Sequence, residues 1–245
     1  MQLKERTILI TGGTSGIGKE MVAQLAPVNK TIIVIATNPV KLDELKRNYR
    51  NVVTYQCSID RKTEVEETIG DILERYKDLA VVVNNAGIQM TPMLHEKEFS
   101  FDSIETEVAI NLTAQIWISA LTLGHFLDLE GPAAYINVTS GLGLYPKKYS
   151  TVYCATKAGL LSFTRSFRYQ LETTSIKAHA AILPLVETPM TEGRGKGKIS
   201  ARRAVSEIIK GVEKGKDDIY VGKTKWMPTL SRISPTLMAT IMKGA

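Results

Sequence analysis

The sequence is poor in cysteine, histidine and long apolar runs, and each scarcity removes a class of protein. Two cysteines in 245 residues, Cys57 and Cys154, are too few for a secreted disulfide scaffold and point to a reducing compartment, expected to be the cytoplasm. Three histidines, His95, His125 and His179, lack the spacing of a metal centre. His125 falls near a helix end and His179 within an apolar run, so both are expected to be structural. Ile8–Ile10 is too short for the core of a signal peptide. The stretch from Trp226 to Met242 is interrupted by Pro228, Arg232 and Pro235, so it falls short of the roughly 20 apolar residues of a membrane span.

Charge is unevenly placed. The net charge of +6 invites a nucleic-acid reading, but residues 1–187 carry 19 Lys+Arg against 20 Asp+Glu, whereas residues 188–245 carry 12 against 5. No basic helix interleaved with stacking aromatics lies in that last quarter, so no nucleic-acid partner is expected. The excess is read as a solvated surface, with attraction for an anionic substrate or membrane surface as the sharper alternative.

The hydrophobic pattern alternates between strand and helix. Thr7–Ile10, Thr31–Ala36, Val52–Ile59, Leu79–Val83, Ala133–Val138, Lys177–Leu183 and Ile219–Val221 read as strands. Several are continuously apolar, as strands covered on both faces must be. Helical spacing marks Lys19–Ala26, Thr63–Tyr76, Phe101–Leu127, Val152–Thr173 and Ala201–Lys214. This order predicts one α/β domain over residues 1–245, a Rossmann-type doubly wound parallel sheet of about seven strands with helices on both faces. Residues 188–200 are expected to form a mobile substrate loop, since Thr191–Lys198 reads TEGRGKGK. Arg194, Lys196 and Lys198 within it are expected to be mainly solvated, while tolerating an anionic group.

Two local patterns carry chemistry. The first strand runs into Thr11-Gly12-Gly13-Thr14-Ser15-Gly16-Ile17-Gly18 and then a helix. Glycine lets backbone approach a phosphate, and the following helix offers free N–H groups to it. Gly12, Thr14, Ser15, Gly16, Ile17 and Gly18 are therefore the expected dinucleotide cradle. The second pattern is Tyr153-Cys154-Ala155-Thr156-Lys157, with Tyr and Lys four apart on one helix face. Acid/base work near neutral pH needs a phenol pKa about 3 units below its usual value near 10, or about 4 kcal/mol. An ammonium at about 4 Å in an effective dielectric near 20 supplies about that much, less the desolvation of the phenolate. Alone the pair is weak, because Tyr and Lys meet often on helix surfaces; beside the glycine turn it becomes a candidate acid/base pair. Cys154 is expected to pack rather than react.

Taken together these motifs resemble the short-chain dehydrogenase/reductase family over nearly the whole chain. The family's glycine turn matches Thr11–Gly18, its N-N-A-G matches Asn84-Asn85-Ala86-Gly87, its helical asparagine resembles Asn111, and its strand-end serine resembles Ser140, ahead of Tyr153 and Lys157. The resemblance implies an NAD(P)-dependent oxidoreductase moving a hydride between nicotinamide and a carbonyl or secondary alcohol. It makes Tyr153 the general acid/base, Lys157 the group that lowers its pKa and holds the ribose, Ser140 the orienter of the substrate oxygen and Asn111 the anchor of a proton relay. It also implies cofactor contacts from Ser58, Ile59, Asn85, Ala86, Gly87, Val186 and Thr188, and a homodimer or homotetramer. Within the family the segments Val83–Gln89, Val138–Leu142 and Val152–Lys157 are most similar to oxidoreductases of teichoic-acid D-alanylation operons.

Two departures stand out. Leu183 and Pro184 occupy the positions of a usual Pro-Gly pair, which implies altered geometry ahead of Val186 and Thr188. Ser58 replaces an aspartate common after the preceding cysteine, so a charge near the adenine is expected to be lost. The second strand ends Ile35-Ala36-Thr37-Asn38 without the acidic residue that pairs with the ribose of NAD. Thr37, Asn38 and Lys41 could meet a 2′-phosphate, which favours NADP. The rival reading is a non-catalytic NAD(P)-binding redox-sensing regulator, which would need the glycine turn but not Asn111, Ser140, Tyr153 and Lys157 together.

Overall fold

The structure is a computed structural model that describes residues 1–244. In chain order its elements are β1 (Thr7–Thr11), α1 (Gly16–Leu25), β2 (Thr31–Ala36), α2 (Pro39–Asn48), β3 (Val52–Gln56), α3 (Lys62–Arg75), β4 (Leu79–Asn84), α4 (Asp102–Val108), α5 (Ala114–Asp128), β5 (Ala134–Ser140), α6 (Thr151–Gln170), β6 (Lys177–Leu183), β7 (Val186–Glu187), β8 (Ile199–Ser200), α7 (Ala201–Glu213), β9 (Asp218–Tyr220), α8 (Met227–Ile233) and α9 (Pro235–Lys243). Seven strands form one parallel sheet in the order β3-β2-β1-β4-β5-β6-β9, while β7 and β8 pair apart from it. This is the doubly wound single-domain architecture that the alternation of strands and helices predicts.

The strand pleat explains the two-sided core. Ile8 and Ile10 of β1 join Val34 in one cluster, and Leu9 joins Ile33 and Ile35 in the other. α1 and α7 pack together on the first face, α3 and α5 on the second. Neither face of the central strands reaches water, which is why their sequences are almost uniformly apolar.

A buried polar chain crosses this core. Asn84 and Asn137 lie directly opposite each other in the β4–β5 register. Asn84 Nδ2 donates to Asn137 Oδ1 at 2.8 Å and to Ser119 Oγ at 3.0 Å, and Asn137 Nδ2 donates to Thr164 Oγ1 at 2.8 Å. The chain thereby links β4, β5, α5 and α6.

The structure departs from expectation in four places. The helix predicted over Phe101–Leu127 is divided into α4 and α5 by a π-helical turn, Ala109–Thr113, that carries Asn111. The strand predicted over Val52–Ile59 stops at Gln56, and Cys57–Ile59 leave the sheet at its rim. Helix α2 was not expected, because only Leu42 and Leu45 of it are buried. Helices α8 and α9 were not expected either. Pro228 and Pro235 read as breaks, yet each sits in the first turn of a helix, where a missing N–H costs nothing.

Candidate active site

β1 lies between β2 and β4, so the chain changes direction there and a crevice opens beyond the carboxyl ends of β1 and β4. Both glycine-bearing motifs converge on it. Gly12 has φ +67° and packs against the second motif, where a Cβ on it would lie 2.9 Å from Ala86 Cα. A Cβ on Gly18 would lie 2.2 Å from the Gly12 carbonyl oxygen, so no side chain fits. Thr11 Oγ1 accepts from the Asn85 and Ala86 N–H groups, both at 3.0 Å, and Asn85 Nδ2 returns a bond to the Thr11 carbonyl at 2.9 Å. The two turns are thus fastened into one wall.

The cavity is large, about 1050 Å³. Its lining includes Gly12, Thr14, Ser15, Gly16, Ile17, Thr37, Ser58, Ile59, Asn85, Ala86, Gly87, Ser140, Tyr153, Lys157, Val186 and Thr188 from the expected set. Four expected residues do not line it, Lys41 of α2 among them. Gly18 lies beneath the turn. Asn38 is the N-cap of α2, its Oδ1 accepting the Lys41 N–H at 3.0 Å, so that side-chain oxygen is already committed. Asn111 is fully buried behind the wall. Its Oδ1 accepts from Ile88 N–H and its Nδ2 donates to the Ile88 carbonyl, both at 2.8 Å, with Thr156 Oγ1 at 3.3 Å. Asn111 therefore positions the strand-following segment rather than facing the cavity.

Ser140, Tyr153 and Lys157 meet at the end of β5 and the start of α6. Ser140 and Tyr153 both line the cavity, and the Ser140 Oγ accepts from Leu142 N–H at 3.1 Å. Lys157 is almost fully buried, with Nζ 5.7 Å from the centre of the Tyr153 ring, and it donates to the Val138 carbonyl at 2.9 Å. The desolvation expected to oppose Lys157 is large here, because both side chains are buried. Burial pushes the phenol up to about 12, with the neighbouring Ser140 hydroxyl pulling the other way. Burial likewise lowers Lys157 to about 8, because a low-dielectric site disfavours the ammonium.

Two further expectations change. The charge thought lost at Ser58 is present two residues later: Ser58 Oγ donates to Asp60 Oδ1 at 2.6 Å, and Asp60 lines the cavity. Arg194, expected to be solvated, is half-buried in the lining beside Gln89, whose Oε1 it approaches at 3.4 Å. After Pro184 the loop that follows β6 runs along the cavity. Val186 pairs with Ile199, and Thr188 sits against the glycine turn, 3.2 Å from where a Gly16 Cβ would be.

Sequence reasoning missed the far wall of the cavity. Lys147, Lys223, Trp226, Met227, Leu230, Met238, Ile241 and Met242 line it. Ser234 followed by Pro235 was the available signal, since Ser234 Oγ accepts the Leu237 N–H as an N-cap. His125 and His179 each hydrogen-bond a backbone carbonyl, of Leu79 and Lys216. Among the described residues no helix is long and apolar enough to cross a membrane.

The crevice, the fastened glycine turns and the Ser–Tyr–Lys cluster define a Rossmann-type oxidoreductase of the short-chain class. The family model described as short chain dehydrogenase matches residues 6–198, and the chain belongs to that family. It is 33% identical to an uncharacterized oxidoreductase, DltE, of Bacillus subtilis over 230 residues, 89% of each chain. It is 28% identical to a 3-oxoacyl-[acyl-carrier-protein] reductase of Thermotoga maritima, covering 78% of each. Among solved structures, a short chain dehydrogenase of Burkholderia cenocepacia in complex with NADP superposes with a TM-score of 0.88 at 19% identity over 99% of both chains. One from Burkholderia phymatum in complex with NAD gives 0.85 at 15% identity, over 100% of this chain and 97% of that one.

Proposed function

We propose that the protein is a nicotinamide-dependent oxidoreductase that interconverts a carbonyl and a secondary alcohol, with Tyr153 as general acid/base. The carrying observation is that Ser140, Tyr153 and Lys157 meet on one wall of the cavity, with the Lys157 ammonium 5.7 Å from the centre of the phenol ring. The residues fit a dinucleotide. The cradle leaves no room for a side chain at Gly12 or Gly18 and disfavours one at Gly16, where φ is +51°, and the N-terminus of α1 has no side-chain cap and no acidic residue in its first turn. When bound, that cofactor supplies or accepts the hydride.

The remaining steps belong to the chain. In the reductive direction Tyr153 gives its proton to the carbonyl oxygen, and in the oxidative direction it takes the proton back. A neutral phenol suits the first role, and its high pKa keeps it protonated near pH 7. Ser140 orients the same oxygen. Lys157, fixed by Val138, holds the ribose and presents a positive charge that favours the phenolate. Asn111 keeps the Ile88 backbone in place. Tyr153→Phe is expected to lower turnover by about 10²–10⁴-fold while the cofactor dissociation constant stays within a factor of two. Turnover retained in that variant overturns the mechanism.

NADP is the proposed cofactor. Thr37 lines the cavity at the end of β2, where the acidic residue that pairs with the ribose of NAD is missing, and the carboxylate of Asp60 in the same lining accepts from Ser58 Oγ. The named structural neighbours bind either NADP or NAD, so the comparison that decides is kcat/KM with each. An NADP preference above about tenfold, or about 1.4 kcal/mol, is expected. A preference for NAD overturns it. Residues 188–200 are proposed to act as the moving cover of the site, with the family's usual homodimer or homotetramer as the assembly. The two free, buried thiols accord with a cytoplasmic setting.

A further inference from the structure

The cavity is electrically lopsided. Its lining holds Lys147, Arg194, Lys196 and Lys223, besides Lys157, whose ammonium donates to the Val138 carbonyl and is assigned above to the ribose and the phenol. Among the described residues the one carboxylate in the lining is Asp60, which is tied to Ser58 at the end where the strand-end residues Thr37 and Ile59 lie. Among the described residues, none of the four free cations lies within 4.0 Å of a carboxylate. Glu107 is the nearest acid to act on Tyr153, but it does not line the cavity. Its Oε1 accepts the Met90 N–H at 2.9 Å, and burial pushes its pKa up.

The cations are brought in by construction of the loop. Gly193, Gly195 and Gly197 have φ of +69°, +65° and +69° and alternate with Arg194, Lys196 and Lys198. A Cβ on Gly195 would lie 2.3 Å from Leu185 Cδ2, and one on Gly197 would lie 2.8 Å from Lys223 Nζ. The loop is therefore folded back onto the cavity, with Lys223 beneath it. Lys147 and Arg194 both act on the Tyr153 neighbourhood. Arg194 favours the phenolate, and burial, with Arg194 adding to it, disfavours the charged form of Lys147. Two half-buried like charges without a counterion repel each other, and an anion placed between them removes that cost. The rest of this end is apolar: Leu142, Trp226, Met227, Leu230, Met238 and Ile241.

We propose that the carbonyl substrate carries an anionic group, a carboxylate or phosphate, on an otherwise apolar body. Lys147 and Arg194 receive the anion, and the α8–α9 wall receives the body. This rests on the oxidoreductase reading above and narrows its substrate class.

The test compares medium-chain oxo acids, the matching oxoalkyl phosphates and the methyl esters of the acids as substrates. The wild type is expected to use the anionic compounds at least about tenfold more efficiently than the esters, which is about 1.4 kcal/mol. The acids and the phosphates then rank which anion fits better. In Lys147→Gln/Arg194→Gln the anion-to-ester ratio of kcat/KM should fall to near one, through KM for the anion. Lys147→Arg should restore most of the ratio lost in Lys147→Gln. Equal use of acid and ester by the wild type overturns the proposal. So does a double variant whose KM rises for the cofactor while the ratio persists, because the cations would then serve the dinucleotide. Should the double variant not fold, salt decides: added NaCl should raise KM for the acid and not for the ester, and equal responses overturn the proposal. If no carbonyl compound is turned over, the oxidoreductase reading fails separately. The anion site is then read from heat stabilisation of Tyr153→Phe protein: a shift with the acid alone supports it, and equal shifts with acid and ester overturn it.

Discussion

The two ends of the cavity are built by different means. Beneath β1 and β4 the wall is backbone, made of glycines at positive φ fastened to the Asn85–Ala86 turn by Thr11. Beneath α8 and α9 it is side chain, made of methionines, Trp226 and cations on a glycine-interrupted loop. Backbone walls recognise what is constant in a ligand, such as a diphosphate, and tolerate almost no substitution. Side-chain walls recognise what varies and can be exchanged one contact at a time. On the proposed function, the contrast separates the part of the molecule that would hold a shared cofactor from the part that would select a substrate.

The sharpest way to break this contrast is at the backbone end. Gly18→Val places a Cβ on the Gly12 carbonyl and should cost more than about 4 kcal/mol of stability or abolish dinucleotide binding outright. Calorimetric titration with NADP and a melting curve check it, and near-normal affinity would mean the turn can rebuild itself. Between the ends lies Lys157, lowered by burial from 10.5 to about 8. From about pH 8 to 10.5 the unfolded chain binds more protons than the folded one, so folded stability should rise through that window by up to about 3 kcal/mol relative to Lys157→Met. Below pH 8 the difference should be flat. Urea unfolding of both proteins from pH 7 to 10 measures this, and a flat difference throughout would show that the ammonium is solvated.

The smallest effect is expected at the side-chain end. Glu207 of α7 accepts the Gly222 N–H at 2.9 Å and pairs with Arg203 and Lys225, so it secures the turn that carries Lys223 and Trp226. Burial works against its ionisation, but the Gly222, Lys225 and Arg203 contacts outweigh it and hold the carboxyl near 2. Its stabilisation should be complete above pH 4.5 and vanish as pH falls through 2. Glu207→Gln should cost about 1–3 kcal/mol at pH 7 and alter substrate KM more than cofactor KM. An unchanged melting temperature would show that Gly222 holds the turn alone.

The backbone end was legible in the sequence because glycine spacing and strand alternation are local signals. Gly12, Gly16 and Gly18 announce their geometry by lacking side chains, and Tyr153 and Lys157 share a helix face by spacing alone. What escaped depended on tertiary placement. The π-turn at Asn111 leaves no mark in hydrophobic period, since Ile110 and Leu112 fit a plain helix equally well. Asp60 reaches the site through Ser58, a contact that arises only once the strand ends at Gln56. Arg194 looked solvated because a TEGRGKGK run has no apolar anchor of its own; the anchors, Leu185 and Lys223, come from elsewhere. Pro228 and Pro235 read as interruptions because a proline marks a helix start and a helix end equally well until its neighbours are placed.

The Asn84–Asn137–Thr164 chain has a consequence for how the molecule is assembled. Successive side chains of a strand face opposite ways, so a one-residue slip of β5 would set Ile136 or Val138 against Asn84 and turn Asn137 toward the other core. An all-apolar sheet would tolerate that error cheaply, since valine and isoleucine pack acceptably at either offset. Here the slip strands several buried amide and hydroxyl groups at about 1–3 kcal/mol each. The polar chain thus works as a proofreader, because it penalises each misaligned version of the sheet.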